Sequence, residues 1–302
     1  MTNNTAIIIK LLAGTYTLYD KEKNVTYYQV KPRGVLKLKG TSPKVGDVVV
    51  YEFSDNNNPQ SQVIIKSILP RKNDLIRPFI SNIDQAIIVF SVKEPELNLN
   101  LLDKFLVTLE YNNIKPIIIF SKWDLLTNHE EINNITYIKE YYESIGYKVL
   151  KTSINDNLKE LLSPIIKDKI SVLTGQSGVG KSSILNTLDP TINIETNEIS
   201  QALNRGKHTT RHVELFKLFD GMIADTPGFG TIDFTDIDEQ TLSQNFVEFF
   251  KLSSECKYNG CLHLNEPNCK VKQELQNNHI LKTRYDNYLS FINIIKELPK
   301  KY

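Results

Sequence analysis

The middle of the chain contains a glycine-rich stretch whose spacing is suited to holding phosphate groups. Residues 175–182 match GxxxxGK[ST] in full, after an apolar strand and before a helix, which is the context that this motif requires. Glycine backbone N–H groups can surround a β-phosphate, Lys181 can neutralise the β- and γ-oxygens, and Ser182 can bind Mg²⁺. We therefore expect a nucleotide site formed by Gly175, Gln176, Ser177, Gly178, Val179, Gly180, Lys181, Ser182 and Ser183.

Two segments ahead of this loop have the residue types that read a guanine base. The first follows a strand, resembles the element [NT]KxD, and reads Ser121-Lys122-Trp123-Asp124. Its carboxylate can accept hydrogen bonds from guanine N1–H and N2–H₂, and its lysine stem can pack along the base. Ser121 stands where Asn or Thr is usual. The second segment, Ser153-Ile154, ends the next strand. A plain surface turn after a strand is the alternative for the first segment, and the second is a weak motif on its own.

A third element follows the glycine-rich loop and ends a hairpin. It reads Asp225-Thr226-Pro227-Gly228 and matches DxxG, in which Asp225 would hold Mg²⁺ through water and the Gly228 N–H would sense a γ-phosphate. The base-reading segments thus precede the phosphate loop, and DxxG comes last. In ordinary Ras-like chains the phosphate loop comes first, DxxG second and the base-reading element after them. Joining the old termini and opening new ones keeps such a fold, because chain termini tend to lie close together. The order predicts a circularly permuted GTPase domain.

The three cysteines of the chain lie close together near its C-terminal end. Cys256, Cys261, His263 and Cys269 supply three thiols and an imidazole within 14 residues. This ligand set is typical of one structural Zn²⁺ in a tetrahedral site with no open position. The spacing does not fit a CxxC redox pair, and an odd number of cysteines argues against a disulfide framework.

The elements that position these residues fall into three regions. Residues 1–70 form a run of short strands, suited to an OB-like β-barrel or, almost as well, an SH3-like barrel. Residues 71–235 alternate strands and helices, which predicts an α/β domain with a parallel sheet, and residues 236–302 are helical around the Cys/His segment. The predicted barrel strands are Thr15 to Tyr19, Val25 to Val30, Val48 to Phe53 and Gln62 to Leu69. Pro70 to Pro78 is a polar joint between the first two regions.

Composition and charge exclude several classes of protein. The chain has 302 residues, of which 40% are hydrophobic and 24% are charged, so a disordered or fibrous chain is excluded. Its apolar runs are far shorter than the roughly 20 residues that span a bilayer, and we find no signal peptide. We expect a cytoplasmic monomer without a membrane partner. The net charge of +1 divides into +4, −3 and 0 over the three regions, so the first region is basic.

The whole chain resembles the bacterial ribosome small-subunit-dependent GTPase A family. The order barrel, permuted GTPase and zinc segment carries the resemblance, together with the stretches Asp84-Gln85-Ala86, Val92-Lys93-Glu94-Pro95 and Arg205-Gly206-Lys207-His208-Thr209-Thr210. The resemblance implies binding of the small ribosomal subunit and its rRNA, GTP hydrolysis to GDP stimulated by that subunit, and a role late in its maturation. It also favours Thr210 over Thr209 as a Mg²⁺ ligand beside Ser182 and Asp225.

The hydrolytic residues follow from what the chain has in place of the usual glutamine. Phe229 occupies that place and can neither donate nor accept a hydrogen bond. His208 lies in the polar segment between the phosphate-loop helix and DxxG, and we expect it to position the attacking water, with Lys181 as the second catalytic residue. A solvated loop histidine is the alternative.

The basic first region also carries aromatic residues, a combination that suits contacts with RNA. The residues that we expect to form this surface are Tyr27, Tyr28, Lys31, Arg33, Lys37, Lys39, Lys44 and Tyr51. A second contact is expected after the metal segment, at Lys270, Lys272, Lys282 and Arg284. Solvated strand edges guarded by lysine are the alternative for the barrel.

Three rival functions stay open at the level of sequence. A P-loop kinase or ATPase would prefer ATP and would have no use for residues 121–124. A scaffold with a vestigial nucleotide site would show no turnover, although Lys181, Ser182 and Asp225 are intact. A permuted GTPase that serves the large subunit is disfavoured only by the family resemblance.

Overall fold

The structure is a computed structural model of the 302-residue chain. It describes residues 4–34, 42–55, 61–75, 78–192, 213–225 and 234–299. His208, Thr210 and Gly228 lie outside the described residues, as do Lys37 and Lys39.

A closed barrel of five strands occupies the N-terminal region, in the order β1-β2-β3-β5-β4. Its strands are β1 (Thr5–Leu12), β2 (Thr15–Asp20), β3 (Val25–Pro32), β4 (Val48–Phe53) and β5 (Val63–Ile68). Neighbouring strands are antiparallel except β3 and β5, which pair in parallel through Lys31 and Pro32. Alternate residues of β2 are buried, as expected for a strand with one face on a core. The predicted five-strand barrel is confirmed.

The joint after the barrel is held by ion pairs. It contains the short strands β6 (Asp74–Leu75) and β7 (Ile80–Ser81). The Arg71 guanidinium donates to both carboxylate oxygens of the fully buried Asp47, at 2.7 and 2.8 Å. Asp47 also accepts from the Ser81 hydroxyl at 2.6 Å, so this buried charge is fully paired.

The central region forms a six-stranded sheet in the order β10-β9-β8-β11-β13-β12. Its strands are β8 (Gln85–Ser91), β9 (Lys115–Ser121), β10 (Lys148–Lys151), β11 (Ile170–Gly175), β12 (Leu215–Leu218) and β13 (Gly221–Asp225). The pairs β9–β10 and β11–β13 are parallel, and β12 closes an antiparallel hairpin with β13. Every residue of β8 is buried, which is typical of a strand covered on both faces. The predicted α/β domain is confirmed.

The hairpin between β12 and β13 turns one residue earlier than its Asp220-Gly221 pair suggests. Leu218 pairs with Gly221, so the turn residues are Phe219 and Asp220, both with positive φ. Gly221 is needed for another reason, because a Cβ there would lie 2.0 Å from the backbone oxygen of Ile166.

Eight α-helices lie within the described residues. They are α1 (Leu99–Tyr111), α2 (His129–Ser144), α3 (Leu158–Ile166), α4 (Lys181–Leu188), α5 (Glu239–Gln244), α6 (Val247–Ser253), α7 (Lys270–Gln276) and α8 (Lys282–Glu297). Asn98, Asn128 and Asn157 cap α1, α2 and α3 by accepting from a backbone N–H of the first turn. None of the described helices is both long and apolar enough to cross a membrane.

Contacts divide the described residues into two compact units. The first comprises Met1–Ala86, Asn157–Thr174 and Ser182–Phe229, and the second comprises Ile87–Asp156, Gly175–Lys181 and Gly230–Tyr302. The second unit contains an aromatic core in which Phe246, Phe249, Tyr288 and Phe291 pack with ring centroids 5.0 to 6.3 Å apart. The domain boundaries expected at residues 70 and 235 stay a prediction.

Candidate nucleotide-binding and metal sites

The phosphate loop begins where β11 ends. Gly175 has a φ of +140°, and a Cβ there would lie 2.0 Å from the backbone oxygen of Val89, so only glycine fits. The Lys181 ammonium donates to the backbone oxygens of Gly175 and Gln176 at 3.0 and 2.5 Å. These carbonyls hold the lysine side chain across the loop, close to where phosphate oxygens would bind.

Ser121, the departure from the usual Asn or Thr, makes a contact that the sequence did not predict. Its buried hydroxyl donates to the backbone oxygen of Val179 at 2.9 Å. Val179 lies in the phosphate loop, 58 residues further along the chain. One hydroxyl therefore connects the guanine-reading segment to the phosphate loop. This contact requires only a side-chain hydrogen-bond donor, which the serine hydroxyl supplies.

The remaining residues of the guanine-reading segment are accessible. Lys122 has a left-handed backbone (φ +59°), and its ammonium donates to the backbone oxygen of Glu94. The Trp123 N–H donates to the backbone oxygen of Thr152 at 3.0 Å. Exposed Asp124 accepts from the Ile154 N–H at 3.2 Å. The two predicted base-binding segments are thus brought together.

The second segment has an unusual apolar tip. The Ile154 side chain is 85% exposed, the largest exposed fraction among the large apolar residues that the structure describes as exposed. Ser153 is half-buried, and its N–H donates to the Asp156 carboxylate at 2.7 Å. An exposed apolar side chain next to Asp124 is suited to contact a planar base.

Several predicted site residues cannot be placed from the described part of the chain. The backbone of Asp225 ends β13, next to β11, which leads into the phosphate loop. His208, Thr210 and Gly228 lie outside the described residues. Their roles stay predictions.

The four predicted metal ligands converge on one point. Their ligand atoms lie within 4.8 Å of one another, and Cys261, His263 and Cys269 are buried. His263 Nδ1 lies 3.3 Å from the sulfur of Cys269 and 3.8 Å from that of Cys256. Tetrahedral zinc, with Zn–S of ~2.3 Å and Zn–N of ~2.0 Å, places nitrogen and sulfur about 3.5 Å apart. The cluster therefore fits one zinc ion bound through Nδ1.

Protonation at this cluster is shifted towards the neutral forms. Burial raises the pKa of the Cys261 thiol to about 12 and also raises that of Cys269, while burial lowers the pKa of His263. A neutral imidazole is ready to bind a metal, whereas the thiols must release protons when they do so.

The predicted RNA-contact surfaces are only partly exposed. Tyr28 is 74% exposed, and Lys31 and Arg33 are exposed. The prediction is wrong for Lys44 and Tyr51, which are buried. The Lys44 ammonium pairs with Asp74 of β6, and the Tyr51 hydroxyl donates to Asp20 of the barrel at 2.7 Å, so both side chains make contacts within the protein.

One residue of the second expected RNA contact is not available on the surface. Arg284 is fully buried and pairs with Asp103 at 2.6 Å and Glu248 at 2.8 Å. Lys282 is exposed and pairs with Asp286, and Lys270 pairs with Glu255 and Glu274. The prediction that Arg284 contacts RNA is therefore wrong, because two carboxylates from helices that are distant in sequence enclose its charge.

Comparison with known proteins agrees with this fold. A family model described as the RsgA GTPase matches residues 68–235, and one described as the RsgA N-terminal domain matches residues 5–59. The proteins named small ribosomal subunit biogenesis GTPase RsgA from Bacillus cereus and Bacillus subtilis are 46% and 44% identical to the chain, and each match covers 98% of both chains.

Two solved structures share the architecture. The crystal structure of YloQ, a circularly permuted GTPase, has a TM-score of 0.85 at 38% identity and covers 100% of this chain and 98% of its own. YjeQ from Thermotoga maritima has a TM-score of 0.85 at 31% identity, with 99% and 100% covered.

The barrel, the order in which the predicted guanine-reading segments precede the phosphate loop, and the Cys/His cluster together define a circularly permuted GTPase with an N-terminal β-barrel and a C-terminal helical region whose Cys/His cluster fits one zinc ion. The chain belongs to the RsgA family, and it is a GTPase.

Proposed function

We propose that this GTPase binds the small ribosomal subunit and its rRNA, hydrolyses GTP to GDP when that subunit stimulates it, and assists late maturation of the subunit. The observation that carries the nucleotide part is the hydrogen bond from Ser121 to Val179, since it ties the guanine-reading segment to the phosphate loop. The names of the full-length relatives support the ribosomal part. Such a protein works in the cytoplasm, and we propose that it does so as a monomer.

Each part of the nucleotide site has a proposed role. Residues 175–183 hold the phosphates, and Asp124 accepts from guanine while Lys122, Trp123, Ser153 and Ile154 surround the base. Mg²⁺ would be held by Ser182, Thr210 and Asp225, and it would neutralise charge on the β- and γ-phosphates. Gly228 would report the γ-phosphate.

Hydrolysis needs a residue that positions water. We propose His208 for this role, because Phe229 has no hydrogen-bonding group. Lys181 stabilises the charge that develops on the transferred phosphoryl group. A site that lacks a glutamine for water is expected to turn over slowly until a partner completes it.

The other two regions have supporting roles. The exposed barrel residues Tyr28, Lys31 and Arg33 contact rRNA, by stacking and by pairing with phosphate. Cys256, Cys261, His263 and Cys269 hold one structural Zn²⁺, which fixes the loop between α6 and α7 and supplies no chemistry of its own.

Base selectivity tests the proposal directly. The Asp124 carboxylate offers two acceptors to guanine, whereas an amide offers one acceptor and one donor, which matches xanthine. We expect wild type to hydrolyse GTP in preference to ATP, faster with small than with large subunits, and Asp124→Asn to prefer xanthosine triphosphate. Asp220→Asn, an exposed turn variant, is the control and should behave as wild type.

Two outcomes would contradict this assignment. Equal use of ATP and GTP by wild type would favour a kinase or ATPase, and no turnover with small subunits would favour a scaffold. Full subunit-stimulated hydrolysis by His208→Ala would remove His208 from the mechanism while leaving the guanine site in place.

A further inference from the structure

Helix α8 contacts the metal loop through two buried tyrosines. The Tyr285 hydroxyl donates to the backbone oxygen of His263, and the Tyr288 hydroxyl donates to that of Leu262, each at 2.6 Å. Tyr285 is 8% exposed and Tyr288 is fully buried. The first bond is buried and the second is partly buried, and both reach the backbone at or next to a predicted metal ligand.

The carboxylate of Glu266 binds N–H groups of the same backbone segment, on either side of His263. Glu266 accepts from the N–H groups of Leu262 and Leu264, at 2.8 and 2.7 Å. Between them His263 has a φ of +59°, a left-handed conformation that is uncommon for a residue with a Cβ. These contacts aim the imidazole at the sulfurs.

The residue before Tyr285 fixes where α8 lies. Arg284 donates to Asp103 of α1 at 2.6 Å and, through Nε, to Glu248 of α6 at 2.8 Å. Asn287 adds a bond to the second Asp103 oxygen at 2.7 Å. Arg284 and Asp103 are fully buried. A buried charge pair of this kind tolerates little displacement, because a shift leaves charge without a partner.

We propose that α8 is a positioning element that couples the metal centre to α1. Tyr285 and Tyr288 hold the metal loop, and Arg284 holds α8 against Asp103, so metal retention and the docking of α8 on α1 depend on each other. Successive helical residues point about 100° apart, which lets Arg284 and Tyr285 contact different neighbours while moving as one body. The coupling must act in both directions. The inference rests on the proposed zinc centre.

The first test measures the rate at which the full-length, zinc-loaded protein transfers its metal to a chromogenic chelator. Removing groups that orient a ligand typically weakens metal binding about 10–100-fold. We expect the double variant Tyr285→Phe/Tyr288→Phe to lose zinc faster by a factor in that range. Tyr258→Phe is the matched control, because Tyr258 is 44% exposed and lies between the first two ligands. If the double variant released zinc at the same rate as the wild-type protein, the proposal would be overturned.

The second test asks whether Arg284 acts on the metal at a distance. Arg284→Lys keeps the charge, all four ligands and both tyrosines, but it cannot reproduce the two-carboxylate contact. We expect several-fold faster zinc release, while Lys282→Arg on the exposed face of the same helix should leave the rate unchanged. Release at the wild-type rate from Arg284→Lys would overturn the coupling.

The reverse direction uses wild-type protein, so it does not depend on a variant that folds. We expect chelation of zinc to speed amide hydrogen exchange in α1 as well as in residues 256–269, with α3 unchanged. A change confined to residues 256–269 would overturn the proposal. Failure of the full chain to bind either zinc or cobalt would overturn the zinc centre and the coupling together, whereas normal metal binding with unchanged rates overturns the coupling alone.

Discussion

Gly175 combines two demands on a single residue of the phosphate loop. Its φ of +140° is outside the range of residues with a Cβ, and the backbone oxygen of Val89 occupies the space that a Cβ would need. Gly180 has a φ of +96°, but nothing lies within 4 Å of the position of its Cβ. A side chain at Gly180 would therefore meet backbone strain alone, whereas one at Gly175 would meet both backbone strain and a steric clash.

This difference predicts unequal costs for the same substitution. Gly180→Ala should lower the free energy of unfolding by about 1–2 kcal/mol through backbone strain alone. Gly175→Ala should cost clearly more, because β11 must also move away from Val89. Urea unfolding of both variants measures the difference. Equal costs would mean that the contact with Val89 relaxes without penalty.

Residue type and spacing predict chemistry better than they predict burial. The metal ligands and the phosphate loop are local patterns, so their members could be named from the sequence. Lys44, Tyr51 and Arg284 look like surface groups, yet their partners Asp74, Asp20 and Asp103 lie 30, 31 and 181 residues away. Such pairings depend on the tertiary structure, which a local pattern does not contain.

At the scale of elements, strands were predictable where they are long and apolar. All seven residues of β8 and the last six of β9 are buried, and both strands alternate with helices, a pattern that predicts a covered parallel sheet. β6 and β7 have two residues each, too few for any periodicity, and only the fold pairs them. The Asp220-Gly221 pair suggests a turn one residue later than the observed one, because Gly221 serves the contact with Ile166 rather than the turn.

Helix α5 begins at an aspartate whose charge is part of the cap. The Asp238 carboxylate accepts from the Thr241 N–H at 2.7 Å, and this hydrogen bond lowers the pKa of Asp238. A depressed folded-state pKa contributes stability that is present above the unfolded pKa of about 3.9 and is lost as the pH falls through the folded value.

The cap predicts both a magnitude and a pH dependence. At pH 7, Asp238→Ala should lower the free energy of unfolding by about 1 kcal/mol, whereas Asp238→Asn keeps an acceptor and should cost less. The advantage of wild type over Asp238→Asn should shrink as the pH falls below 4. Parallel urea titrations at pH 7 and at about pH 3 measure it. An advantage independent of pH would mean that the cap does not use the carboxylate charge.

At the scale of the whole chain, the charge is unevenly divided. A net charge of +1 gives no sign of a polyanionic partner, but residues 1–70 carry 9 basic and 5 acidic residues. Two of these basic residues are paired, Lys44 with Asp74 of β6 and Arg33 with Glu52 of β4. No ion pair is found for exposed Lys31 among the described residues, and the exposed ring of Tyr28 lies on the same strand, β3.

These two residues predict distinguishable effects on the binding of small subunits. Lys31→Gln should weaken binding and reduce the slope of log K against log salt by about 0.7–0.9, because one phosphate contact is lost. Tyr28→Ala should weaken binding by about 1–3 kcal/mol without changing the slope, because stacking releases no counterion. Lys148→Gln, an exposed change on β10, is the control. Affinities measured at several salt concentrations distinguish the loss of a phosphate contact from the loss of stacking. If the barrel does not contact rRNA, both variants will show the affinity and the slope of the wild type.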